Sequence, residues 1–95
     1  MSDWKLVFRV HATQRMFQRS IRPEEVRHII ENGETIEDYP EDQPYPSRLV
    51  SGHTGHRPVH VVVADNEADH ERIIVTVYQP DPTRWTEDFR TRRRP

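Results

Sequence analysis

The side chains that could carry chemistry in this chain are histidines, arginines and a tyrosine. His60 stands alone among valines in Arg57-Pro-Val-His-Val-Val-Val-Ala64. A strand would hold such an imidazole in one place, and its ordinary pKa near neutrality suits it to proton transfer as base or acid. The competing reading is a structural histidine, hydrogen-bonded to a neighbouring strand. His11, Arg15 and Arg19 recur at intervals of four, which on a helix stacks them along one edge where cations could line a phosphate. They could equally be a solvated face paired with Glu24 or Glu25. Tyr78 could orient a phosphate or stack on a base, or simply pack near a strand end. Arg48 is a further cation near the start of a strand.

His53, His56 and His60 invite a metal reading, since three imidazoles fall within eight residues. Extended backbone argues against it, because His60 lies about 13 Å beyond His56 at about 3.3 Å per residue. With no cysteine in the chain there is no thiolate ligand or nucleophile and no disulfide framework. Neither a metal nor another cofactor is expected, and a reducing, cytoplasmic setting is.

The chain has 95 residues, the size of one domain with a thin core. No signal peptide is apparent, because the apolar stretch Leu6–Val10 is short and broken by Arg9, and no apolar run reaches membrane-spanning length. The net charge of −2 conceals a polarity: Glu34, Glu37, Asp38, Glu41 and Asp42 crowd one segment, and Arg90, Arg92, Arg93 and Arg94 crowd the end. A locally basic surface can still attract a polyanion.

The elements that must position these side chains follow from periodicity. Trp4, Leu6, Phe8 and Val10 alternate with Lys5 and Arg9, with Val7 the one lapse, which predicts a strand over Lys5–Val10. His11–Arg19 reads as a short helix with Ala12 and Met16 inward. The second helix carries Pro23 at its first position, Glu24 and Glu25 in its first turn, Val26, Ile29 and Ile30 at core spacing and Gly33 as its stop. Arg22 is a poor cap, so Pro23 and an Ile21–Val26 staple must fix that start. Glu34–Tyr39 is expected as an edge strand, and Pro40, Pro44 and Pro46 keep the acidic loop irregular. Arg48–His53 and Arg57–Ala64 form a hairpin about Thr54-Gly55, and Arg72–Tyr78 supplies a last strand. Residues 1–89 form one domain with Trp85 and Phe89 packing back on the sheet, and residues 90–95 are an Arg-rich tail in solvent. That tail could hold RNA backbone or merely solubilise the chain.

The fold class is α+β, with two N-terminal helices on one face of a mostly antiparallel four-to-five-stranded sheet and the other face open. If Val59, Val61 and Val63 meet the helices, His60 points to the open face, joined by Thr76 and Tyr78, while Val75 and Val77 point the other way.

His11-Ala12, Arg15-Met16, Arg19, Pro46-Ser47-x-Leu49, His60 in a valine strand, Val77-Tyr78-x-Pro80 and Trp85, in that order and spacing, resemble the bacterial domain-of-unknown-function family 4258. The resemblance runs from about His11 to Arg93. It implies a RelE-like fold of the barnase–colicin–RelE group, whose members are mostly metal-independent ribonucleases and often toxins of toxin–antitoxin pairs. On that footing His60, with His11, would transfer protons, Tyr78 would orient substrate, and Arg15, Arg19 and Arg48 would hold phosphate. His60 and Arg15 would lie together on the exposed working side. The implied partners are RNA, free or on the ribosome, and a cognate antitoxin that could be a zinc-finger protein. Edge strands and the acidic loop could also support a homodimer. The rival expectation is a non-catalytic module that uses the same face to bind protein or nucleic acid.

Overall fold

The computed structural model describes residues 4–94. Its elements, in chain order, are β1 (Lys5–Phe8), α1 (Val10–Arg19), α2 (Pro23–Asn32), β2 (Glu34–Tyr39), β3 (Ser47–Thr54), β4 (Arg57–Asn66) and β5 (Glu71–Tyr78). One sheet takes all five strands in the order β1-β5-β4-β3-β2. The pairs β2–β3, β3–β4 and β4–β5 are antiparallel, and β1 alone lies parallel to its neighbour β5. The fold is therefore α+β, with both helices on one face of a mostly antiparallel sheet.

β1 stops two residues short of the expected end because Arg9, extended at φ −66° and ψ 154°, already caps α1. Val10 thus becomes the first helical residue and is 74% exposed. α1 buries Ala12 and Met16 and closes on Ser20, which is left-handed at φ 56° and donates its N–H to the Met16 and Phe17 carbonyls. α2 begins at Pro23 as expected. The Glu25 carboxylate takes the Arg22 N–H at 2.8 Å, so the first turn is closed although Arg22 offers no cap of its own. Ile21 and Val26 are both buried, as the staple requires.

Gly33 ends α2 with ordinary backbone, at φ −79°. Its lack of a side chain matters for another reason, since a Cβ there would sit 2.5 Å from the Ile29 carbonyl oxygen and 2.6 Å from that of Ser51. Close approach of helix end to sheet, and not a left-handed cap, is what needs glycine. Gly55, at φ +62°, serves the hairpin turn between β3 and β4.

Register sorts the two faces. Val50 pairs with Val61, Val61 with Val77, and Val63 with Ile74; these join Val59, Ala12, Met16, Val26, Ile29 and Ile30 in the core under the helices. Ser51 pairs with His60 and His60 with Tyr78, and this set faces away from the helices. A register shift in β5 leaves Val75 unpaired, so it does not share the face of Val77 but lines a hollow with Val62 and Ala64.

The face away from the helices is not open along its length. After Pro80 the chain doubles back in a two-stranded ribbon, with a bridge between Trp85 and Arg92, Thr86 N–H donating to the Thr91 carbonyl at 2.8 Å and Arg93 N–H to that of Arg84 at 2.8 Å. Trp85, 3% exposed, plugs the sheet over His60. The expected solvent tail is corrected with it: Arg90 pairs with Glu34 and Arg92 with Glu37, each at 2.9 Å, which ties the ribbon to β2.

Candidate functional site

His60 sits at the centre of the plugged region with none of its surface exposed. Its Nε2 lies 2.8 Å from the Phe89 carbonyl oxygen, which can only accept, so Nε2 carries the proton. Nδ1 then accepts from the Tyr78 hydroxyl at 3.1 Å. The indole of Trp85 meets the imidazole edge-on, centroids 4.5 Å apart. Burial holds the imidazole below its ordinary pKa, against the opposing pull of the Phe89 carbonyl and of Glu37. Burial likewise raises Tyr78. Both ring nitrogens are committed and the ring is sealed from solvent. The sequence placed His60 on an exposed working side, and the ribbon's Trp85 and Phe89 overturn that placement.

The arginines fall elsewhere. Arg15 and Arg19 are exposed on α1, on the helix side of the sheet, and so are separated from His60 by the sheet itself. Among the described residues neither forms an ion pair with Glu24 or Glu25; Glu25 instead takes the Arg22 N–H and the Thr54 hydroxyl. Arg48 also faces the helix side, opposite Val63, where its Nε donates to Asp65 at 3.0 Å and its Nη1 to Thr35 at 3.2 Å. Arg72 approaches the same carboxylate at 4.0 Å. Arg48 is thereby a half-buried partner of β4 and β2, not a free phosphate ligand. The imidazoles weighed as metal ligands also part company: His53 borders a hollow at the end of α2, His56 is exposed in the hairpin turn, and His60 is sealed.

His11 is the one proposed proton carrier left in a cleft. It is exposed at the start of α1 and borders a hollow of about 450 Å³ on the uncovered part of the sheet face. The floor is Val62, Ala64 and Val75, the last kept there by the irregularity in β5. Arg9 and His11 stand on one side; Asp42, Pro44 and Tyr45 of the acidic loop stand on the other. The loop is anchored by local bonds. The Ser47 hydroxyl donates to Asp42, and the amide of buried Asn66 donates to the Tyr45 hydroxyl at 3.2 Å. An apolar floor, an aromatic ring, a guanidinium, an imidazole and a carboxylate thus meet in one concavity.

Sequence reasoning missed Arg9, Asp42 and Tyr45. Arg9 read as an interruption in a strand and the acidic loop as irregular, and no local signal says that this loop folds back to Val62.

A small α+β domain with an apolar-floored hollow, edged by charge, beside a plugged sheet face is the class of molecule these features define. The model of the family described as Domain of unknown function (DUF4258) matches residues 8–79, about three quarters of the chain, and the chain belongs to that family. The match ends at Gln79, just before the ribbon that covers His60. No curated protein and no solved structure matches the chain. Among the described residues, no helix is long and apolar enough to cross a membrane.

Proposed function

We propose that this domain is a metal-independent endoribonuclease that seats one nucleotide of a single RNA strand in the hollow between α1 and the acidic loop. The observation that carries this reading is the grouping of His11, Arg9 and Asp42 around an apolar floor with Tyr45 at its rim. A base can lie on Val62 and Val75 against the Tyr45 ring while its phosphate meets Arg9. Asp42 accepts the 2′-hydroxyl proton as the 2′-oxygen bonds to phosphorus. The bond from phosphorus to the 5′-oxygen breaks, and His11 delivers a proton to that oxygen. Arg9 stabilises the charge on the phosphoryl oxygens. The products are a 2′,3′-cyclic phosphate and a 5′-hydroxyl. In a cell such an activity inhibits growth until a partner blocks the hollow, and a cognate zinc-finger antitoxin is the partner this reading names.

Labelled RNA incubated with the protein and a chelator provides the test. Wild type is expected to leave cyclic phosphate ends, and His11→Ala to lower the rate by about 10²–10⁴-fold with unchanged melting. A wild-type protein that neither binds nor cuts RNA refutes the proposal. A second reading, RNA binding without cleavage, is favoured by one observation: among the described residues no hydrogen bond fixes the His11 ring, whereas His60 has two. Binding by wild type with no cleavage would establish it.

A further inference from the structure

We propose that the ribbon carries a second site, a seat for a chain of phosphates built from Arg84, Arg92, Arg93 and Arg94. These four arginines and Thr83 line a hollow of about 320 Å³. Their convergence is set by backbone. The Trp85–Arg92 bridge and the Arg93 N–H to Arg84 carbonyl bond place Arg84 and Arg93 opposite each other on antiparallel strands. Like charges directly opposite repel, so this arrangement is poor unless an anion lies between them. Arg92 is pre-positioned, its guanidinium 4.6 Å from the Trp85 ring centroid and bonded to Glu37 at 2.9 and 3.3 Å. Arg93 is steadied by donating from Nε to the Pro82 carbonyl at 3.0 Å. Among the described residues no carboxylate lies within ion-pairing distance of Arg84, Arg93 or Arg94.

The shape favours a chain over a single ion. Arg84 and Arg92 also border an adjoining hollow of about 290 Å³, lined with Tyr78, Trp85 and the carboxylate of Asp81, so the seat continues past Arg84 and Arg92. Guanidinium forks match phosphate oxygens in pairs. The ribbon lies on the same sheet face as the nucleotide hollow, separated from it by the Trp85 plug, so an RNA strand held in the hollow can continue to the arginines. In this form the inference rests on the ribonuclease reading; a free polyphosphate offers the same chemistry from another source.

The test compares wild type with Arg84→Gln/Arg94→Gln, whose altered side chains are both exposed and leave melting unchanged. Binding of a fluorescent 2′-O-methyl RNA, which cannot be cut because its attacking oxygen is capped, is measured across a range of salt. Tripolyphosphate and poly-glutamate serve as competitors. Losing two contacts to a single strand should lower the salt slope by about 1.4, at about 0.7 per phosphate. Tripolyphosphate should compete on wild type but not on the variant, and poly-glutamate should not compete on either. An unchanged slope, or equal competition by poly-glutamate, overturns the seat. If wild type binds tripolyphosphate through Arg84 but ignores RNA, the seat stands with free phosphate chains as its ligand and the ribonuclease reading falls. If RNA is cut in a His11-dependent way while the slope is unchanged, the ribonuclease stands and the seat falls. If wild type binds neither, both fall.

Discussion

Truncating His60 to alanine tests whether the buried imidazole is a structural group or a catalytic one. The change removes the acceptor of the Tyr78 hydroxyl and the donor to the Phe89 carbonyl, both beneath Trp85. The Phe89 carbonyl keeps one weaker partner, the Ser51 hydroxyl at 3.3 Å. A buried polar group left unpaired costs about 1–3 kcal/mol. One orphaned hydroxyl, one half-satisfied carbonyl and the void under the indole together suggest a loss of about 3–5 kcal/mol. Domains of this size hold about 5–15 kcal/mol in all. The melting temperature should therefore fall by roughly 12–40 °C, at about 4–8 °C per kcal/mol.

Trp85 packs edge-on against the deleted ring, so its fluorescence reports the transition in a urea titration of wild type and His60→Ala. Cleavage of RNA, measured at a temperature where the variant is still folded, should persist. A change below about 0.5 kcal/mol would place His60 at the surface and refute the reasoning. Unchanged stability with lost cleavage would restore it as a catalytic residue.

Stability should also depend on pH through the same imidazole. A folded-state pKa held below the ordinary value of about 6.5 means that the unfolded chain binds the proton more readily. The contribution is therefore constant above about pH 6.5 and is lost as pH falls below it, by up to about 1.4 kcal/mol at pH 5.5. Urea midpoints at pH 7.5 and 5.5 should differ in wild type and converge in His60→Gln; equal midpoints in wild type would show that burial does not disfavour the charged ring. Gly33→Ala should destabilise by roughly 1–3 kcal/mol, because its Cβ meets two carbonyl oxygens at 2.5 and 2.6 Å and neither is the tip of a flexible side chain. A neutral Gly33→Ala, read by the same titration, would mean that the end of α2 can withdraw from β3.

Local periodicity made most of the frame legible. The alternation at Leu6 and Phe8, the Pro23 start of α2, the hairpin about Gly55 and the edge strand Glu34–Tyr39 are short-range signals, and each stands where the residues put it. The parity argument for His60 and Tyr78 also held, since β4–β5 register pairs them on the face away from the helices. It failed for Val75, because a bulge adds one residue and reverses the alternation, and no residue in Ile73-Ile74-Val75-Thr76 announces it. What parity could not supply was the cover over that face. The expectation that Trp85 packs back on the sheet holds, since it is 3% exposed there, but its landing on His60 is settled by contacts between residues far apart in the chain, and Pro80 and Pro82 give only the site of reversal. The candidate site was misread for the same reason: Arg15 and His60 belong to opposite layers, whereas His11 shares a hollow with Asp42 and Tyr45 only because a loop thirty residues on returns to that face.

The plug also accounts for why the usable hollow lies where it does. Two ten-residue helices can cover one face of a five-stranded sheet but not both. The second face needs its own burial, and in so thin a domain Trp85 is the largest side chain that supplies it. A lone indole on a flat sheet could slide. Here the Phe89 carbonyl accepts from both His60 and Ser51, and the Arg90 and Arg92 ion pairs hold the ribbon's edge against β2. Those polar contacts fix the ribbon at the β2 side and over the C-terminal end of β5, where Tyr78 lies. The middle of the same face, from Val62 to Val75, receives none of it, because among the described residues no polar pair there reaches the ribbon. An apolar strip is left bare between Arg9, His11 and the acidic loop, and a bare apolar strip edged by charge is where a ligand gains most from leaving water.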